Sequence, residues 1–257
     1  MSRPRAHDLL TETLDGAVAL LLDVDDTIVD TEAAMVDAGT VAAASLWPER
    51  ADEHASMARR YYDDPEGWFP RYAAGELAFE AMRAGRLAEV ARAHGVELPD
   101  GAYARYEHSY APAFGAAQRL FPDVPALLEA ADRAGLPVAL LTNSSHAPTH
   151  QKLEAVGLGN RFEVVVTTDT LGFGKPDPRV YLEAATRLGR SPAQTVCIGD
   201  NLEWDVLGAQ RAGLRAVWLD RLGTAAAPRP PSVTTVTSLD ELTRVLERRF
   251  GRADPDR

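Results

Sequence analysis

The chain has 257 residues, 46% hydrophobic and 25% charged, which is ordinary globular composition and enough for one sizeable core with or without a smaller second domain. Its formal net charge of -11 disfavours nucleic acid and anionic membrane as partners, so an anionic substrate needs a local positive site. A single cysteine, Cys197, excludes an intrachain disulfide framework and a multi-cysteine zinc site, and no apolar run approaches the about 18 residues of a membrane helix.

The N-terminus lacks the apolar core of a signal peptide, since His7 and Asp8 follow Met1-Ser2-Arg3-Pro4-Arg5 so closely. A soluble protein of a reducing, cytoplasmic setting is the expectation, as a monomer or homodimer. The first strand is predicted at 17–24. Its apolar run Ala19-Leu20-Leu21-Leu22 breaks into Asp23-Val24-Asp25-Asp26-Thr27. Side chains alternate along a strand, so Asp23 and Asp25 share one side where it ends. Two carboxylates that close repel each other, which calls for a divalent cation or a shared proton. An EF-hand does not fit, because Thr27 and Ile28 stand where Asp or Asn and then Gly are required.

Residues 31–117 hold no convincing strand. They are rich in Ala, Arg and Glu at helical spacing, with breaks expected at Pro48, Pro65, Pro70, Gly85, Pro99 and Pro112. A crossover between parallel strands needs only about 12 residues, so a helical insertion is the economical account. Strands are then predicted at 138–141, 162–167, 195–198 and 215–219. Helices are predicted at 124–134, 147–156, 178–188 and 204–212. Gly135, Gly157, Gly189 and Gly213 each follow a helix where a capping glycine belongs. A closing helix at 239–249 has Ser238 as N-cap and Glu241 to complete a capping box. Residues 224–231 read as a loop and 252–257 as a frayed end.

Alternating buried strands and helices make a parallel α/β sheet the expected fold. Such sheets bind ligands at the carboxyl ends of their strands. The polar clusters fall there: Asp23 to Thr27, then Thr142-Asn143-Ser144-Ser145, then Gly199-Asp200-Asn201 with Asp205 beyond. Gly174-Lys175-Pro176-Asp177-Pro178 opens the helix leading into the fourth strand.

Each cluster also has a plainer account. Asp-x-Asp at a strand end is often a turn with capping carboxylates. Thr142 is equally a hydroxyl bonding its own backbone, Lys175 a solvated surface charge, and Asp200 a helix N-cap. Lys175 is not a P-loop lysine, since Gly172-Phe173-Gly174-Lys175-Pro176 lacks the spacing and the following Ser or Thr. Cys197 reads as a small buried hydrophobe. His146 and His150 have zinc-compatible spacing but no further His or Cys nearby, so they read as helix surface.

Taken in order, the four clusters resemble the motifs of the haloacid dehalogenase-like hydrolase superfamily. Asp23-Val24-Asp25-Asp26-Thr27 looks like its first motif, Leu141-Thr142-Asn143 its second, Lys175 its third, and Gly199-Asp200-Asn201-Leu202-Glu203-Trp204-Asp205 its fourth. The likeness covers 18–30 and roughly 118–220, and Asp26 replaces the family's commoner glycine. It implies a Rossmann-like core, 1–30 and 118–257, with an inserted helical C1 cap domain at 31–117. It further implies a magnesium-dependent phosphatase acting on a small phosphorylated metabolite. In that scheme Asp23 is the nucleophile and Asp25 the acid/base, its backbone carbonyl a metal ligand. The Thr142 hydroxyl and the Asn143 N–H hold a phosphoryl oxygen. Thr27 is grouped with Asn143 at the phosphate and fixes local geometry. Lys175 neutralises Asp23 and the phosphoryl group. Asp200 ligates the metal, with Asp205 in support. Magnesium suits such hard oxygen ligands.

The same resemblance leaves a phosphomutase, a 2-haloacid dehalogenase and a non-catalytic binding protein as alternatives. The dehalogenases lack the second aspartate. In the insertion, Tyr61, Tyr62, Trp68, Phe69 and Tyr72, with Arg71, either line a cleft or form its core. Arg83 and Arg86 either meet an anionic group or are solvated.

Overall fold

The computed structural model describes residues 6–221, 223 and 233–250. The chain divides into two compact units, 1–29 with 120–257, and Asp30–Arg119. The first begins with α1 (Ala6–Leu14), which buries Leu10 and Leu14, one helical turn apart. Strand β1 (Ala19–Leu22) follows and is buried along its whole length.

The chain then enters the second unit, which among the described residues is helical throughout. Its helices are α2 (Thr31–Leu46), α3 (His54–Asp63), α4 (Trp68–Ala73), α5 (Phe79–Ala93) and α6 (Ala102–Ala116). Three expected breaks lie inside helices. Gly85 sits within α5, where a Cβ would meet the Trp68 ring at 2.5 Å. Glycine there is a packing requirement, not a terminator. Pro112 lies inside α6, and Pro70 inside α4.

Tyr61 and Tyr106 are buried, with ring centroids 5.2 Å apart, and Tyr106 and Tyr110 stack at 5.6 Å. Tyr61 therefore belongs to this unit's own core. Arg83 and Arg86 are not solvated: both are buried. Arg83 pairs with Glu107 and lies 4.4 Å over the Tyr110 ring, and Arg86 pairs with Asp64 at 3.1 Å.

Back in the first unit come α7 (Val124–Arg133), β2 (Val138–Leu141), α8 (His146–Ala155), β3 (Val165–Val166), α9 (Thr168–Leu171), α10 (Pro178–Arg187) and β4 (Thr195–Gly199). A π-helical turn, Leu202–Leu207, leads into α11 (Gly208–Arg211), β5 (Arg215–Leu219), β6 (Thr234–Val236) and α12 (Leu239–Phe250). The six strands form one sheet in the order β3-β2-β1-β4-β5-β6, every pair parallel. β6 was not anticipated from the sequence, and β3 is shorter than the expected 162–167. Gly135, Gly157, Gly189 and Gly213 all take positive φ after their helices, as expected. The expected loop at 224–231 and frayed end at 252–257 lie outside the described residues.

Alternation places Leu20 and Leu22 in the core beneath α7 and α12, and Leu21 in the core beneath α10. The cap of α12 is shifted from the expected box. Ser238 Oγ accepts from the Asp240 N–H, while Glu241 accepts from the Thr237 N–H at 2.8 Å. Asp123, just before α7, accepts from the Leu239 N–H and from Arg221, tying both helices to the sheet edge. No described helix is long and apolar enough to cross a membrane.

Candidate active site

Five residues converge just past the carboxyl ends of β1 and β4, the two central strands. Asp23 directly follows β1, and its N–H still bonds to the Ile198 carbonyl of β4. The buried Lys175 ammonium donates to Asp23 Oδ1 at 2.5 Å and to Asp205 Oδ1 at 2.6 Å. Lys175 is therefore not the surface charge its type would favour. Its backbone is clamped by Asn143 after β2: Asn143 Oδ1 accepts the Lys175 N–H at 2.6 Å and Nδ2 donates to its carbonyl at 2.9 Å. Gly174 makes this clamp possible, since a Cβ there would stand 2.2 Å from Asn143 Oδ1.

Asp200 follows β4. Its N–H bonds Thr27 Oγ1 at 3.1 Å, and that hydroxyl lies 3.3 Å from Asp200 Oδ1. Thr27 is fully buried. Its hydroxyl is engaged with Asp200, which is the geometry-fixing part of its expected role. Asp205, on the π-helical turn, accepts the Asn201 N–H on Oδ2. A Cβ on Gly199 would fall 2.2 Å from Asp205 Cγ, so this glycine makes room for the carboxylate.

Oxygens of Asp23, Asp200 and Asp205 lie within 4.8 Å of one another. This carboxylate triad includes Asp205, expected only in support. Its donors are hard oxygens, and its charge exceeds what one ammonium offsets. Burial, with Asp205 and Asp25 nearby, pushes the Asp23 carboxyl up to about 7 despite Lys175. Burial likewise raises Asp200, helped by the Asp23 charge. The Lys175 ammonium is desolvated too, but Asp205 and Asp23 outweigh that and hold it charged. Buried carboxylates that resist ionising fit a site completed by a divalent cation.

Asp25 sits at the edge of this cluster, with its side chain 30% exposed. Thr142 Oγ1 approaches Asp25 Oδ2 at 3.4 Å and accepts the Ser144 N–H at 3.1 Å. Asp25 Oδ1 receives the ammonium of Lys152, a residue of α8 that the sequence did not single out. Lys152 is itself buried, between Thr149 and Leu153 on the inward face of α8. A second residue also escaped notice: Arg221 donates to the Thr27 carbonyl at 2.7 Å and anchors the loop after β1. In that loop Asp26 takes φ of 58°, the left-handed region where glycine is unstrained. The family's commoner glycine at this point thus has a backbone reason, and aspartate is among the residues that tolerate it. His146 and His150 are exposed, with rings 5.8 Å apart, and Cys197 is buried in β4, as expected.

A family model described as haloacid dehalogenase-like hydrolase matches residues 18–213. The chain belongs to the haloacid dehalogenase-like hydrolases and is a hydrolase of that superfamily. It is 32% identical over 245 residues to a phosphoserine phosphatase of Thermus thermophilus, covering 88% of this chain and 97% of that protein. It is 27% identical to (S)-2-haloacid dehalogenase 4A of Burkholderia cepacia, covering 93% of this chain and 99% of that one. Among solved structures, the putative HAD-hydrolase YfnB of Bacillus subtilis matches with a TM-score of 0.71 at 24% identity, over 90% of this chain and 98% of that one. That likeness concerns the fold.

Proposed function

We propose that this protein is a magnesium-dependent phosphatase that hydrolyses a small phosphorylated metabolite through an aspartyl-phosphate, with the helical unit serving as its cap. One observation carries the proposal. A second carboxylate, Asp25, stands beside the buried Asp23 and has its own ammonium partner. Displacement at carbon in a dehalogenase needs the nucleophile but no second carboxylate. Phosphoryl transfer to a carboxylate and on to water needs both.

In this scheme one Asp23 oxygen attacks phosphorus and the P–O bond to the leaving group breaks. Asp25 gives its proton to the leaving oxygen. Water then attacks the phosphorus, Asp25 takes a proton from it, and Asp23 is released with inorganic phosphate. Lys175 fixes Asp23 and offsets charge on the transferring group. The Thr142 hydroxyl and the Asn143 N–H hold a phosphoryl oxygen. Asp23, Asp200 and the Asp25 carbonyl would hold Mg²⁺, with Asp205 steadying Lys175; the ion would neutralise phosphoryl oxygens and orient the ester. The Thermus thermophilus phosphatase acts, by its name, on an amino-acid phosphate, and another relative is a phosphoglycolate phosphatase of Agrobacterium fabrum. Small phosphorylated acids lead the candidates, ahead of sugar phosphates and nucleoside monophosphates.

The test is phosphate release from a panel of phosphorylated metabolites, with Mg²⁺ and with EDTA. EDTA-sensitive release is expected. A folded, metal-loaded protein that releases none, or that instead requires a bisphosphate activator, defeats the proposal. Replacing Asp25 by Asn should lower kcat by about 10²–10⁴-fold, the usual worth of a general acid/base. An unchanged rate removes Asp25 from that role.

The raised Asp23 and Asp200 set a pH dependence. An aspartate held protonated in the fold but ionised when unfolded, here between pH 3.8 and about 7 for Asp23, makes folding less favourable as pH rises through that window. The cation reverses this, since it binds the ionised form. The rise in Tm on adding Mg²⁺ should therefore be larger at pH 8 than at pH 6. Thermal melts at the two pH values, with Mg²⁺ and with EDTA, check this. An equal shift at both would show that proton release is not linked to metal binding.

A further inference from the structure

We propose that Lys152 is a positioning residue that pins one oxygen of Asp25, aiming the other at the leaving group and separating the acid/base from the nucleophile. The inference rests on the phosphatase reading above. It begins from an oddity of α8. Thr149, Lys152 and Leu153 make a stripe at i, i+3 and i+4, and all three are buried. Such a stripe normally carries apolar side chains, and a lysine is rarely buried there unless its ammonium has a partner.

Lys152 extends its stem along the core and delivers the ammonium to Asp25 Oδ1. The site thus holds two parallel pairs, Lys175 with Asp23 and Lys152 with Asp25. Without the second pair, two carboxylates two residues apart would compete for one ammonium. A tether of α8 to the end of β1 is the purely structural alternative. It accounts less well for the charge, because an apolar side chain of similar volume usually anchors a helix as firmly as a buried ion pair. Pinning Oδ1 also leaves a defined geometry at Oδ2, where Thr142 makes a long 3.4 Å contact that can yield to a leaving group. Misplacing an acid/base by about 1 Å costs roughly 10²-fold in rate.

The experiment compares K152M, K152R, D25N and K152M/D25N on two esters, with crystal structures of wild type and K152M. One ester is the best alkyl phosphate found in the panel. The other is p-nitrophenyl phosphate, whose leaving group needs little protonation. K152M should lose about 10²-fold in kcat on the alkyl ester with KM nearly unchanged, and much less on the aryl ester. K152R should recover part of the loss. K152M/D25N should be no slower than D25N, because both changes act through one group. In the K152M crystal the Asp25 carboxyl should be rotated from its wild-type position.

A rise in KM at constant kcat would make Lys152 a substrate contact and overturn the inference. So would losses that multiply in the double variant, or an Asp25 left in place in the K152M crystal. If K152M does not fold, K152R carries the test, and wild-type kcat on the alkyl ester overturns the inference. If the wild type hydrolyses neither ester while Asp25 still rotates in K152M, the phosphatase reading fails and the positioning stands.

Discussion

Replacing Asp23 by Asn should bring turnover down by about 10⁴–10⁶-fold, the scale of losing a nucleophile, while leaving the protein folded. The amide keeps the shape of the carboxylate and can still accept from Lys175 through its oxygen, so the clamp after β1 has little reason to collapse. The electrostatics run the other way from the activity. Asp23 is buried and its carboxyl is pushed up to about 7, so its charge is held against desolvation and against Asp205 and Asp25. Removing that charge relieves the metal-free protein. Above pH 7, with EDTA present, the variant should melt no lower than wild type and should show a smaller Mg²⁺-induced shift. Mass spectrometry supplies the second readout: wild type quenched during turnover should carry a phosphoryl group on Asp23, and the variant none. Activity near wild type would assign the nucleophile elsewhere.

The part of this site that could be read from the sequence is the part made by strand ends. β1 is an unbroken apolar run, so the first charges after it had to fall at the sheet's carboxyl edge. The same logic located Thr142, Asn143 and Asp200. Helices are less explicit. Lys152 looked like any surface lysine, and only its place in the Thr149–Leu153 stripe marked it as buried. Arg221 follows β5 by two positions and acts on a carbonyl far away in sequence, which no local pattern records. Thr27 pairs with Asp200, a partner far away in sequence that a hydroxyl in a motif does not announce. In the helical unit, Gly85 and Pro112 look like punctuation by residue type, yet both lie inside helices. Gly85 instead yields space to Trp68, a contact that exists only once α4 and α5 have packed. β6 escaped because three residues are too few to show a period, and its partner β5 supplies the order.

Removing Lys175 should be the most damaging single change to the fold of the first unit. Its ammonium is the shared partner of two buried carboxylates, Asp23 and Asp205, and both pairs are almost fully enclosed. Lys175→Ala leaves those charges in low dielectric with no partner, a situation that costs about 3–5 kcal/mol. For a protein of this length that corresponds to a fall in Tm of roughly 10 °C or more. Lys175→Met, which keeps the volume, should do little better, because the loss is of charge and not of packing. The deficit should narrow in two circumstances. Lowering the pH lets Asp23 take up a proton, which removes one of the stranded charges, and without Lys175 to hold its carboxyl down this protonation sets in at higher pH than in wild type. Adding Asp205→Asn removes the other, so K175M/D205N should melt above K175M. Mg²⁺ should also raise the melting point of K175M more than that of wild type, since it then meets an uncompensated acidic cluster. None of these changes should restore turnover, because the cation that offsets charge on Asp23 and the transferring group is gone. Thermal melts of the three variants at pH 6 and pH 8 decide the matter. A K175M protein as stable as wild type at pH 8 would mean that water, not Lys175, holds these carboxylates.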